Sequence, residues 1–288
     1  MRPTKDEVLH EARRERADFI ELIASLAPDD WDRSTQLKGW RVRDVVAHLL
    51  GNCSGEFDEA FRRALAGDPT PVIPGDLNVW NDHQAASCRG WTAQRLCQEY
   101  ERASAELVKL IEGWEGDMES PVRLAEALHP RPFWLEVRVL TVHLWVHGQD
   151  IRKAVGRPGG ATDERMRPVI QAYFDMAPLV FQPERAEGLR LKVAFRLSGP
   201  GGGRWLMEIN DGHCAVHKNS GDRADVTLRG TTWNFYRIGQ GLISPALAIL
   251  TLRLVPVGNP LAALRFASLF RTGKAAVNRP IETQSTPS

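Results

Sequence analysis

The amino-acid sequence predicts an α+β protein of two domains: a four-helix bundle, then a small α+β domain whose sheet is mostly antiparallel. Three observations carry that reading. Apolar residues recur at helical spacing through the first part of the chain. The stretch GRPGGAT, residues 156–162, then interrupts them with the glycine and proline of a linker. Beyond Gly188 the apolar period changes from 3.6 to two. At 288 residues the chain is also longer than one domain usually is, with apolar residues enough for two cores. The expected boundaries are 1–158 for the helical domain, 163–273 for the second, and 274–288 for a disordered polar tail.

Composition excludes several classes. Hydrophobic residues at 43% and charged residues at 25% are ordinary for a soluble globular protein. Lys+Arg 37 against Asp+Glu 36 leaves a net charge of +1, which gives no reason to expect nucleic acid or a membrane as partner. The N-terminus is charged from its first turn, unlike a signal peptide. The most apolar run, Leu242 to Val257, is broken by Pro245, Arg253 and Pro256 and is too short to span a bilayer. A cytoplasmic protein is expected. The four cysteines form no CxxC pair, so free thiols are expected rather than disulfides.

Thr4 and Glu7 make a capping-box pair, and Val8, Ala12, Phe19, Ile23 and Leu26 share a face, which predicts a first helix from Thr4 to Leu26, stopped by Pro28. After a polar loop and a Gly39-Trp40 turn, a second helix is expected from about Arg41 to Leu65, with Val42, Val45, Val46, Leu49 and Leu50 as its apolar face. Pro69, Pro71 and Pro74 make a loop of the next segment. Helix returns from Leu77 to about Ser87 and from Thr92 to Trp114, where Leu96, Tyr100, Leu107, Leu110 and Ile111 form the stripe. A loop through Pro121 and Pro130 leads into the stretch Arg131 to Gly156, also helical. In the second domain, residues 163–181 read as helix. Leu189, Leu191, Val193, Phe195 and Leu197 then alternate with polar residues as a strand. RWLMEIN, CAVHK and ADVTLRG are further strands, with a hairpin turn at Asn210 to Gly212. Helices at Thr232 to Ile238 and Pro260 to Phe270 flank an extended piece near Leu250 to Val257.

The stretch Arg131 to Gly156 holds His143 and His147 four residues apart, one above the other on a helix face, so both imidazoles can reach one metal ion. His48 is the polar residue among the apolar face of the second helix. Metal sites in bundles are built from facing helices, and three nitrogen ligands leave an open position, as catalytic zinc sites do. His48, His143 and His147 are therefore the candidate metal ligands. Asp44, one turn before His48, either orients that imidazole or complements the helix N-terminus. Asn81, Asp82 and His83 face either a cavity or solvent. Asp150 is a candidate proton-handling or imidazole-orienting carboxylate, and Arg152 a candidate anchor for an anionic substrate. His213 and His217 repeat the spacing, but in a strand four residues span roughly 13 Å and cannot share an ion. GPGGG lacks the helix and the Lys and Ser/Thr of a phosphate loop.

At GWRVRDVVAHLL, preceded by Trp31 and a polar loop, and at VHGQDIRKAVGRP, the chain resembles the mycothiol-dependent maleylpyruvate isomerase family. That family couples a DinB-like four-helix metal-binding domain to a C-terminal domain related to sterol carrier protein 2. The resemblance covers about Met1 to Pro158 well and the remainder in outline, through the strand order and the ending VGNPLAALRFASLF. It implies zinc, mycothiol as thiol cosubstrate, and an actinobacterial cytoplasm. His48 and His147 match the family's two ligand histidines; His143 stands where the isomerases carry a glutamate. Three imidazoles leave the site one unit more positive than two with a carboxylate, which pulls harder on the proton of a bound thiol or water.

The expected function is thus a zinc-dependent isomerase or thiol S-transferase, with mycothiol as a metal-bound thiolate nucleophile acting on a small electrophile. Another divalent metal could occupy the same nitrogens. Two other classes fit: a hydrolase with three-histidine zinc and an activated water, and a non-catalytic binder of an apolar ligand. The expected partners are the small substrate and mycothiol, without nucleic acid or membrane, and the chain is expected to be a monomer or weak homodimer.

Overall fold

The computed structural model describes residues 2–271 apart from 69, 74, 219, 220 and 222. The expected tail, 274–288, lies outside the described residues, as do Pro69 and Pro74 of the expected proline loop. Among the described residues the chain forms two compact units, Pro3–Gly160 and, together with Arg2, residues 161–271.

The first unit is helical. Helix α1 (Lys5–Ala24) starts on the expected box: Thr4 Oγ1 accepts from the Glu7 amide at 3.2 Å while the Glu7 carboxylate accepts from the Thr4 amide at 2.7 Å. Then come α2 (Val42–Gly51), α3 (Glu56–Leu65), α4 (Leu77–Ser87), α5 (Ala93–Gly113) and α6 (Phe133–Ala154). Helix α1 packs on α5 and α6, and α2 packs on α4, α5 and α6. Phe19, Ile23, Leu96, Trp145 and Ile151 are fully buried between them, each worth about 1.5–3 kcal/mol as apolar surface removed from water.

One expected element is two. The single helix from Arg41 to Leu65 breaks after Gly51, and α3 starts afresh behind Gly55, whose φ of +57° suits only a residue without Cβ. Phe57, Ala60 and Phe61 are buried beyond the break as Val42, Val45 and Val46 are before it, so the apolar pattern runs across it. Pro28–Asp32 form a 3₁₀ turn that buries Trp31. Between α5 and α6, β1 (Pro121–Val122) and β2 (Arg131–Pro132) pair antiparallel, which the sequence reading missed.

The second unit packs α7 (Asp163–Val180) on a sheet of β3 (Arg190–Ser198), β4 (Gly203–Asn210), β5 (His213–Lys218), β6 (Val226–Thr231) and β7 (Leu254–Gly258), in the order β5-β4-β3-β6-β7. Only β3 and β6 run parallel; the other neighbours are antiparallel. The β4–β5 turn has Asp211 at φ +45° and Gly212 at +76°, the left-handed pair that tight hairpins favour. On β3, Leu191, Val193, Phe195 and Leu197 are buried while Arg190, Lys192 and Arg196 are exposed. Phe174 of α7 stacks on Trp205 of β4 and on Phe235 of α8 (Thr232–Gly239), each at 4.5 Å between ring centres. The start of the expected extended piece near Leu250 is instead the end of α9 (Pro245–Leu250), capped by Ser244 and opened by a proline, whose fixed φ suits a first helical turn. Helix α10 (Pro260–Ala267) ends the described fold.

Candidate metal centre

Two helices bring the three histidines together. On α2 the apolar face turns His48 into the bundle, where it is 2% exposed; α6 presents His143 and His147 on successive turns. His48 Nε2 lies 3.2 Å from His143 Nε2, and His143 Nε2 lies 2.9 Å from His147 Nε2. One ring nitrogen from each falls within 4.8 Å of the others. A tetrahedral zinc with nitrogens at about 2.0–2.1 Å sets those nitrogens about 3.3 Å apart, so the set fits such an ion. Burial, and then the neighbouring imidazoles, hold His48 and His143 well below the ordinary imidazole value, which keeps both neutral with a lone pair to give.

A chain of hydrogen bonds fixes His147. A carboxylate can only accept, so His147 Nδ1 donates to Asp150 Oδ2 at 3.0 Å and leaves Nε2 as the lone-pair nitrogen. Asp150, 2% exposed, also accepts from Gln36 Nε2, and Gln36 Oε1 accepts from Lys153 Nζ at 2.8 Å. Over His48 lies the Trp40 ring, 5.0 Å between centres, held by its Nε1 donating to Asp82 of α4 at 2.8 Å. Asn52 Nδ2 approaches the His48 ring at 3.3 Å and donates to the His48 carbonyl at 2.8 Å. A cleft of about 80 Å³ opens beside His143, lined by Asn52, Cys53, Tyr100 and Thr141 among others.

The mycothiol maleylpyruvate isomerase N-terminal domain family matches residues 12–152, the span that contains all three histidines. Residues 12–152 thus belong to the mycothiol maleylpyruvate isomerase N-terminal domain family. The SCP-2 sterol transfer family matches residues 181–271, so the isomerase-type domain is followed by a carrier-type one. The crystal structure of the mycothiol-dependent maleylpyruvate isomerase aligns with a TM-score of 0.56 at 15% identity, over 83% of this chain and 90% of that one, a likeness of fold. Hydroxysteroid dehydrogenase-like protein 2 of Rattus norvegicus and of Mus musculus are each 28% identical over 111 residues, 38% of this chain. The chain spans only 20% and 21% of the lengths of these curated relatives.

Within this isomerase-family domain the structure gathers His48, His143, His147 and Asp150. Arg152 does not join them. Nine residues beyond His143 it stands about half a turn away round α6, with Nη1 3.9 Å from where a Cβ on Gly159 would be. Asp44 serves its helix rather than His48: its carboxylate accepts from the Arg41 amide at 2.8 Å. His83 is exposed on α4, and His213 and His217 both lie on the edge strand β5. The sequence reading missed Asn52, which its place one helical turn after His48 could have revealed, and also Gln36 and Lys153, because no periodicity links a loop amide to a helix 114 residues away.

Proposed function

We propose that this chain is a metal-dependent enzyme of thiol chemistry: His48, His143 and His147 hold zinc, and mycothiol is the cosubstrate in isomerisation of, or S-transfer to, a small electrophile. The convergence of three imidazole nitrogens beside a cleft, in a domain of the isomerase family, carries this reading. Bound there, a divalent ion supplies the Lewis acidity that lowers the pKa of a thiol or water entering its open position.

The protein's own residues set the conditions. Asp150 holds His147 in one tautomer, and Gln36 and Lys153 hold Asp150. Burial pushes the Cys53 thiol up to about 12, so the cysteine lining the cleft stays protonated and does not compete as nucleophile. Leu107, Ile111 and Val137 make the cleft wall largely apolar, which admits a small organic molecule. In isomerisation the cosubstrate sulfur adds to an activated double bond, the resulting single bond rotates, and elimination returns the thiol; S-transfer stops at the adduct. His143, where the isomerases carry glutamate, leaves the site one unit more positive and favours thiol ionisation. Among the described residues no helix is long and apolar enough to cross a membrane.

Elemental analysis of protein purified without chelators should find one divalent ion per chain, lost in both His48→Ala and His147→Ala. Full metal content in either variant would remove that histidine from the ligand set. Turnover should then be sought with maleylpyruvate and other electrophiles, with and without mycothiol. Activity indifferent to thiol would sink the thiol reading in favour of hydrolysis.

A further inference from the structure

The cleft beside His143 lies wholly within the helical unit, between α1, α2, α5 and α6, and its walls are mostly aliphatic. Among the described residues that line it, one carries a charge: Arg16 of α1, which is half-buried. A guanidinium against apolar walls is ordinarily paired, because a charge taken out of water without a counter-charge is costly. Arg16 Nε donates to Ser104 Oγ at 2.8 Å, and Nη2 donates to the Glu101 carbonyl at 2.7 Å, both on α5. These neutral acceptors aim the side chain. They leave its charge without a carboxylate among the described residues, and Nη1 without an acceptor.

A second donor stands beside it. Tyr100 of α5 is 3% exposed and lines the cleft, with its ring 5.0 Å from that of Phe19 between centres. Its hydroxyl has no hydrogen-bond partner among the described residues, which is uncommon for a buried polar group. Burial, and then the neighbouring Cys53, hold Tyr100 well above the ordinary phenol value, so the oxygen keeps its proton and can donate. The Arg16 charge acts on both Tyr100 and Cys53, which puts guanidinium, hydroxyl and thiol round one part of the cleft. A cation and a neutral donor with nothing to donate to, set in aliphatic walls, match a carboxylate on a hydrocarbon body. A second carboxylate would lie against Leu107, Ile111 and Leu140 without a cation, unless it displaced the thiol from the metal ion.

We infer that the electrophile is a monocarboxylate with an apolar body, not a diacid, and that Arg16 and Tyr100 bind its carboxylate while the body lies toward His143. The reaction it undergoes rests on the metal and thiol chemistry proposed above; its recognition is tested without turnover. The full chain, metal-loaded and without thiol, is titrated calorimetrically with trans-2-hexenoate, its amide trans-2-hexenamide and the diacid trans-2-hexenedioate. The hexenoate should bind about tenfold or more tighter than either of the others. Arg16→Gln should abolish the preference for acid over amide. Tyr100→Phe, which keeps the ring on Phe19, should weaken hexenoate binding by about tenfold; it decides the matter by itself if Arg16→Gln does not fold. Metal content should be that of the parent in both variants. Equal binding of acid and amide, tighter binding of the diacid, no binding of the hexenoate, or indifference to Tyr100→Phe would overturn the inference. So would a preference for the acid that survives Arg16→Gln and vanishes on chelation, since the carboxylate would then sit on the ion. Protein that holds no metal yet selects the hexenoate through Arg16 would defeat the metal reading and support this one.

Discussion

At His147 the deciding neighbour is Asp150, because accepting the Nδ1 proton turns Nε2 toward His143. Asp150→Asn keeps an acceptor but loses the charge that strengthens the imidazole as a donor. Metal affinity should fall about 10–100-fold, read by competition with a chromogenic chelator, while the fold persists. Unchanged affinity would leave Asp150 a packing residue. His48 and His143 make a second prediction. Burial lowers both below the ordinary imidazole value of 6.5. In metal-free protein the folded histidines stay neutral while the unfolded chain takes up protons below pH 6.5. Their contribution is therefore fully present above that pH and is lost as the pH falls below it, with a slope approaching about 2.7 kcal/mol per pH unit for the pair. Denaturant titrations of chelated protein either side of pH 6.5 check this, and a flat profile would mean that the imidazoles are solvated.

Helix α4 matters through a single close approach. A Cβ on Gly51 would meet Gln84 Oε1 at 2.7 Å and Gln84 Cβ at 2.9 Å, so α2 and α4 touch where only glycine fits. Gly51→Ala must push α4 outward, at a cost of about 1–3 kcal/mol. Because α4 carries Asp82, which holds Trp40 over His48, the substitution should lower the melting temperature and also loosen metal binding. A melting temperature at or above that of the parent would show that Gln84 can move aside at no cost. The same region shows what periodicity conceals. Apolar residues continue in register from α2 into α3, so the break at Gly55 left no mark on the pattern that defines a helix.

At the scale of the whole chain, a ligand that binds only the native state stabilises the unit that holds it, by about 2.7 kcal/mol at a hundredfold excess over Kd. The three histidines lie in Pro3–Gly160. Chelation should therefore speed amide hydrogen exchange in α2 and α6 and leave β3 and β4 protected as before. Faster exchange in the sheet as well would mean that the two units open together.

What local periodicity and capping chemistry encode could be read from the residues alone. The Thr4–Glu7 box, the change of period after Gly188, the glycine-rich stretch between the units and the Asp211–Gly212 turn were all legible, because each depends on residues a few positions apart. So was the shared face of His143 and His147, which the helical repeat dictates. Packing between distant segments set the rest. It brought His48 within 3.2 Å of His143 across 95 residues, tied Gln36 to Asp150, and gathered the exposed leucines of the second unit on neighbouring elements. Those are contacts between segments distant in sequence, fixed by how the buried faces of whole helices and strands pack, and no spacing within one segment records them.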